Sequence, residues 1–201
     1  MPTRRAYFEV GTRSVFAVAL EWPGWSRRSS SEVRALEELG KYQERYEKVL
    51  GHDLPKGRIT VIGSVPGSAT TDFGAPGALG PWDEKSATKR ERLRQVEILE
   101  RCWRSFDQVV NGAPSRLAKG PRGGGRDRDA IVEHVRETER AYAPKMGLRV
   151  PPRTAWPEQR SMLTTHLCDG YVDRAWPPLY ALRRLAWHVL DHAWEIEDKS
   201  S

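Results

Sequence analysis

Residues 177–201 read PPLYALRRLAWHVLDHAWEIEDKSS. Pro177 and Pro178 suit a first helical turn, where proline's fixed φ is already helical and its missing N–H is not needed. The pattern then predicts an unbroken helix to about Glu197. His188 and His192 lie four residues apart, so both rings project from one helical face and can converge on one ion. Glu195 follows three positions later on nearly the same side. Trp187 and Trp194 flank the histidine face, either as core residues or as walls of an apolar pocket.

Working backwards, Trp156-Pro157 opens another helix that ends near Gly170. Before it, DAIVEHVRETERAYA (129–143) predicts a helix from Asp127 or Asp129, either of which can cap it, to Tyr142. His134 shares the apolar side of that helix with Ile131, Val135 and Thr138, so it should point inward. A fourth helix spans about 84–110, with Leu93, Val96, Leu99, Trp103 and Phe106 as its inner face. Four helices joined by loops of roughly 8–16 residues make an antiparallel bundle the natural packing. His134, His188 and His192 would then be three imidazoles from two facing helices, the donor set of an open divalent-metal site. Glu137, Asp191 and Glu195 are candidate outer acceptors for the rings. His166 or Glu195 could close the site as a fourth ligand, whereas His52 sits in a turn with no such arrangement.

The N-terminal part has another character. AYFEVGTRSVFAVALEW (6–22) predicts two strands around Gly11-Thr12-Arg13-Ser14, ended by Pro23-Gly24. Ser29, Ser30 and Ser31 offer caps for a helix from about Ser31 to Leu50, closed by Gly51. RITVIGSV (58–65) is the clearest strand. The expected fold class is therefore α+β: a strand-strand-helix-strand unit over 1–66, a linker or ordered loop over 67–82, and a helical bundle over 83–201.

Composition narrows the function classes. The chain has 201 residues and carries 33 Lys+Arg against 27 Asp+Glu, with 38% hydrophobic residues. That balance suits a folded domain of ordinary size. No apolar run reaches the roughly 18 residues of a membrane helix, and the start MPTRRAYFEV lacks a signal-peptide core. A soluble, cytoplasmic protein with no membrane partner is expected. Cys102 and Cys168 match neither a metal motif nor a disulfide framework. The basic residues mostly interleave with acids, as on solvated helices. The cluster apart, RLAKGPRGGGRDR (116–128), lacks the strand and GK[ST] of a phosphate cradle, so nucleic acid is not the expected partner.

The segments AIVEHVRETERAYAP (130–144) and LRRLAWHVLDHAWEIED (182–198), in this order, resemble the DinB/YfiT-like superfamily. The resemblance covers about 83–201 and implies a four-helix bundle whose metal is held by His134, His188 and His192. It further implies zinc, nickel or a similar divalent ion. Several members are enzymes that use mycothiol, bacillithiol or glutathione, which implies thiol transfer or isomerisation on a small-molecule substrate, with hydrolysis as the competing chemistry. A non-catalytic ligand- or partner-binding protein with a structural metal is the alternative. More faintly, LEWPGWSRRSSSEVRALEELGKY (20–42) is similar to the HicB-like antitoxin fold. That likeness implies pairing through the N-terminal sheet edge, as a homodimer or with a partner. Transcriptional repression does not carry over, because a bundle follows where HicB-like proteins place a DNA-binding domain.

Overall fold

The structure, a computed structural model, describes residues 3–120 and 124–200. It is mixed α+β, built on a four-stranded sheet of order β3-β2-β1-β4. Strands β1 (Arg5–Val10) and β2 (Val15–Ala19) form the expected antiparallel hairpin. Strand β3 (Ser26–Ser29) continues antiparallel from β2, and β4 (Thr60–Pro66) returns parallel to β1 as an edge strand. Between β2 and β3 the chain turns through Gly24, whose φ of +92° suits glycine. A Cβ there would stand 2.8 Å from Leu190 Cδ1, so this turn lies directly on the last helix.

The predicted helix over 31–50 divides in two. Helix α1 (Glu32–Lys41) is capped by Ser31, whose side chain accepts from Arg34 N, and α2 (Gln43–Leu50) ends at left-handed Gly51. They meet at Tyr42, whose ring lies 5.0 Å from that of Trp194 and 3.8 Å from the Arg27 guanidinium carbon. The direction change lets Tyr42 dock on the last helix through aromatic and cation–π contacts.

The 66–82 segment is ordered by two acids. Glu9, fully buried on β1, accepts from Thr71 Oγ1 (2.5 Å), Gly77 N (2.8 Å) and Ala78 N (3.0 Å). Asp72, in the short helix α3 (Ala69–Phe73), accepts the backbone N–H groups of Thr12, Arg13 and Ser14 at 3.1, 2.7 and 3.1 Å. These bonds hold the segment over one face of the sheet, where Tyr7, Phe16, Val18 and Val65 pack with Trp187, Ala75, Ala78 and Trp82. The opposite face, with Ala6, Phe8, Ala17 and Ala19, joins a second core continuous with the helices. Both faces being covered explains why β2 is buried at every position.

Helices α4 (Lys89–Gly112), α5 (Arg128–Tyr142), α6 (Trp156–Asp169) and α7 (Pro178–Lys199) complete the chain. Thr88 and Glu91 close a capping box at the start of α4. Leu93, an expected inner residue, is exposed, while Val96, Leu99, Trp103 and Phe106 are buried. Helix α7 is the central element: every residue from Tyr180 to Leu190 is buried. It packs along α4 and against α5, and α6 lies on α4.

One buried acid ties three of these helices together. Glu139 of α5 accepts from Trp103 Nε1 of α4 (2.8 Å), Trp156 Nε1 of α6 (2.6 Å) and Gln159 Nε2 (3.4 Å). Arg160 Nε lies 3.5 Å away, and Glu139 is 2% exposed. Truncation would leave two indole N–H groups without their acceptor, while Arg160 would keep Asp107 at 2.9 Å. Glu139→Ala is therefore expected to cost about 3–5 kcal/mol of unfolding free energy, measured by urea denaturation. A change below about 1 kcal/mol would show that the node is not structural.

Candidate metal centre

Among the described residues, His134, His188 and His192 bring their ligand nitrogens within 4.8 Å of one another. The geometry follows from the sequence spacing: α7 supplies two rings one helical turn apart, and α5, packed on α7, supplies the third. Ring centroids are 5.1 Å apart for His134–His188, 5.0 Å for His134–His192 and 4.7 Å for His188–His192. His134 Nε2 and His188 Nε2 approach to 3.2 Å. A zinc–nitrogen bond of about 2.0–2.1 Å places two tetrahedral ligands roughly 3.3 Å apart, so this pair already has nearly the separation an ion would impose.

The surroundings differ from ring to ring. His192 Nδ1 contacts Glu195 Oε2 at 2.7 Å, and Glu195 also binds Lys199 Nζ at 2.5 Å. Glu195 thereby stands where an outer acceptor would, and with Nδ1 engaged, Nε2 is the His192 atom left for an ion. Its carboxyl is lowered to about 2, first by the hydrogen bond from His192 and then by that from Lys199, with burial opposing. Glu137 pairs instead with Arg140 at 3.2 Å, and Asp191 with Arg27 at 3.2 Å, so neither of these expected outer acceptors contacts a ring. Burial, then the neighbouring His192, His134 and Arg184, drives His188 well below the ordinary imidazole value. Burial and then His192 lower His134 as well. Both effects favour the neutral, metal-binding form.

The other candidates lie elsewhere. His166 stacks on Tyr171 at 4.6 Å and its Nε2 contacts Met146 O at 2.9 Å, away from the trio. His52 is an exposed turn residue beside Asp53 O. Cys102 is core, and its thiol is raised by burial; Cys168 is half-buried. Trp194 packs against Tyr42 in the main core, and Trp187 lies in the sheet-side cluster, so both are core residues. The basic 116–128 loop lies partly outside the described residues. In the described part, Lys119 pairs with Asp127 at 2.6 Å, and Arg126 is close enough to the rings to lower His134.

Arg184, read from the sequence as one of four bundle arginines (with Arg136, Arg140 and Arg183) able to attract an acidic thiol, and Tyr142, read only as a helix end, stand beside the trio. Arg184 sits one turn before His188, 7% exposed, and its Nη2 donates to Tyr142 Oη at 2.9 Å. The Tyr142 ring is 5.9 Å from that of His188. A charged residue inside the apolar run LYALRRLAW was the available signal.

No helix among the described residues is long and apolar enough to cross a membrane. Comparison with protein-family models, curated proteins and solved structures gives no match for this chain, so the three converging histidines carry the functional argument by themselves.

Proposed function

We propose that this chain is a metal-dependent enzyme of the DinB-like kind. His134, His188 and His192 hold one divalent ion, zinc or nickel by donor type, in a helical bundle formed by α4–α7. The observation that carries this reading is the convergence of the three rings within 4.8 Å. When bound, the ion supplies a +2 charge, uncancelled by neutral ligands, that lowers the pKa of a coordinated thiol or water.

The chain's own groups prepare that chemistry. The buried flank of α7 keeps His188 neutral, and Glu195 orients His192. Glu195 is engaged by His192 and Lys199, and His166 lies elsewhere, so the chain presents three donors and leaves a fourth position to an external group. This favours catalysis over a closed structural metal. The substrate is a small electrophile, and the reaction is thiol transfer, conjugation or isomerisation with mycothiol, bacillithiol or glutathione as the thiol. In the same reading the exposed edge strand β4 is the surface for pairing, as a homodimer or with a partner, in keeping with the HicB-like pattern.

A turnover assay tests the proposal. Zinc- or nickel-loaded protein is compared with chelator-stripped protein, using each of the three thiols and a chromogenic electrophile near pH 7. Lowering a thiol's pKa from about 8.5 towards neutrality raises its thiolate fraction at least about tenfold, and a rate increase of that order is expected. Equal rates with and without metal, for every thiol, would end the catalytic reading and favour a ligand-binding protein.

A further inference from the structure

The guanidinium of Arg184 is buried, yet no carboxylate among the described residues lies within ion-pair distance of it. Its neighbours differ in this respect: Arg183 pairs with Asp83, Arg136 with Glu133 and Arg140 with Glu137. Arg184 instead donates from Nη1 to Pro76 O and from Nη2 to the Tyr142 hydroxyl, and its Nε has no acceptor. The faces of Trp187, Tyr142 and Trp176 lie 5.0, 5.4 and 5.9 Å from the guanidinium carbon. Aromatic faces offset part of the cost of burying a cation, but they supply neither an opposite charge nor an acceptor for Nε.

Donors outnumber acceptors around this turn of α7. Arg183 Nε and Trp187 Nε1 are also buried without partners. The histidine trio begins one turn further on, with Tyr142 touching both groups: its hydroxyl is on Arg184 and its ring is 5.9 Å from the His188 ring. Residues at i and i+4 of a helix stand about 5–6 Å apart at Cβ, within the reach of one small molecule. Three neutral imidazoles leave an ion's charge intact, and Arg126 adds to the positive field at His134 and His188.

We infer that the site takes an anionic ligand: a small molecule with a carboxylate two or three atoms from its metal-binding donor, the carboxylate seating on the Nε/Nη2 edge of Arg184. On that edge Nε is buried without an acceptor, and the present partner of Nη2 is a neutral phenol. A carboxylate would replace it with two charge-assisted hydrogen bonds in the fork geometry that guanidinium favours. This inference rests on the metal reading above and names the substrate class for the same site.

The test uses cobalt-loaded full-length protein and two probe thiols of matched length, 3-mercaptopropionate and 3-mercapto-1-propanol. Binding is read from the thiolate-to-cobalt charge-transfer absorption, and cobalt content is measured in parallel. Wild type is expected to bind the carboxylate probe at least about tenfold tighter than the alcohol, the effect of a charge-assisted pair. In Arg184→Gln the two probes should bind within about twofold of each other, with cobalt retained. Arg90→Gln, which removes a charge from the exposed start of α4, should keep the preference. Equal binding of both probes by cobalt-loaded wild type would overturn the assignment of Arg184 and leave the metal site standing. Protein that binds no cobalt would overturn the metal reading, and this inference with it. If Arg184→Gln does not fold, the wild-type comparison and Arg184→Lys decide: the lysine should keep a preference for the carboxylate, weakened by loss of the fork.

Discussion

Replacing His188 by alanine is expected to lower the affinity for zinc or nickel at least about a thousandfold. One of three protein ligands contributes about 4 kcal/mol, and each 1.4 kcal/mol is a factor of about ten in affinity. His188 is the severest of the three positions because it is the buried ring of the trio, the other two being half-buried. It is also 7% exposed, so water cannot easily take its place. His192→Ala should behave similarly, and Glu195→Gln should cost only about 10–100-fold, because it perturbs the orientation of a ligand and not its presence. Isothermal titration of metal into chelator-stripped protein reads all three. Affinity unchanged in His188→Ala would remove that ring from the site.

The second large effect is with pH. Metal binding needs neutral rings, so acid should release the ion, and the lowered values of His188 and His134 move that loss of affinity below the ordinary imidazole range. The metal-free protein should respond in the same direction. His188 is held well below the ordinary imidazole value when folded, mainly by burial, while in the unfolded chain it titrates near 6.5. Below about pH 6.5 the unfolded state therefore binds a proton that the folded state does not. Stability is complete above that pH and declines by about 1.4 kcal/mol per pH unit below it, until the folded ring itself titrates. Urea unfolding of metal-free wild type and His188→Gln between pH 7 and pH 5 measures this slope. The glutamine variant should lose this part of the dependence. Identical slopes would show that His188 is not the group responsible.

How much of this was legible in the sequence depended on the range of the interaction. The helices carrying the three histidines follow from apolar periodicity and proline and glycine punctuation, and the His188–His192 spacing alone places both rings on one face. Strand β3 did not show, because SRRS has no apolar alternation; it is a strand only because β2 offers an edge on one side and α1 covers it. The break at Tyr42 arises from contacts with Arg27 and Trp194, the latter more than 150 residues away in sequence. The segment 66–82, read as a linker or ordered loop, owes its order to Glu9 and Asp72, whose acceptors meet distant backbone N–H groups in a way that local pattern does not encode. Glu139 left a trace: it continues the buried stripe of Ile131 and Val135 at four-residue spacing, and an acid there calls for donors on the facing helices. Arg184 left the same kind of trace within α7, but its lack of an acidic partner could be seen only in three dimensions.

The most direct measurement of the central claim is X-ray absorption spectroscopy of the zinc-loaded full-length protein. It should show close to one ion per chain, with three imidazole nitrogens at about 2.0–2.1 Å and one further light-atom donor from solvent. A first shell containing sulfur, two or fewer imidazoles, or protein that retains no zinc after gel filtration would contradict the three-histidine centre.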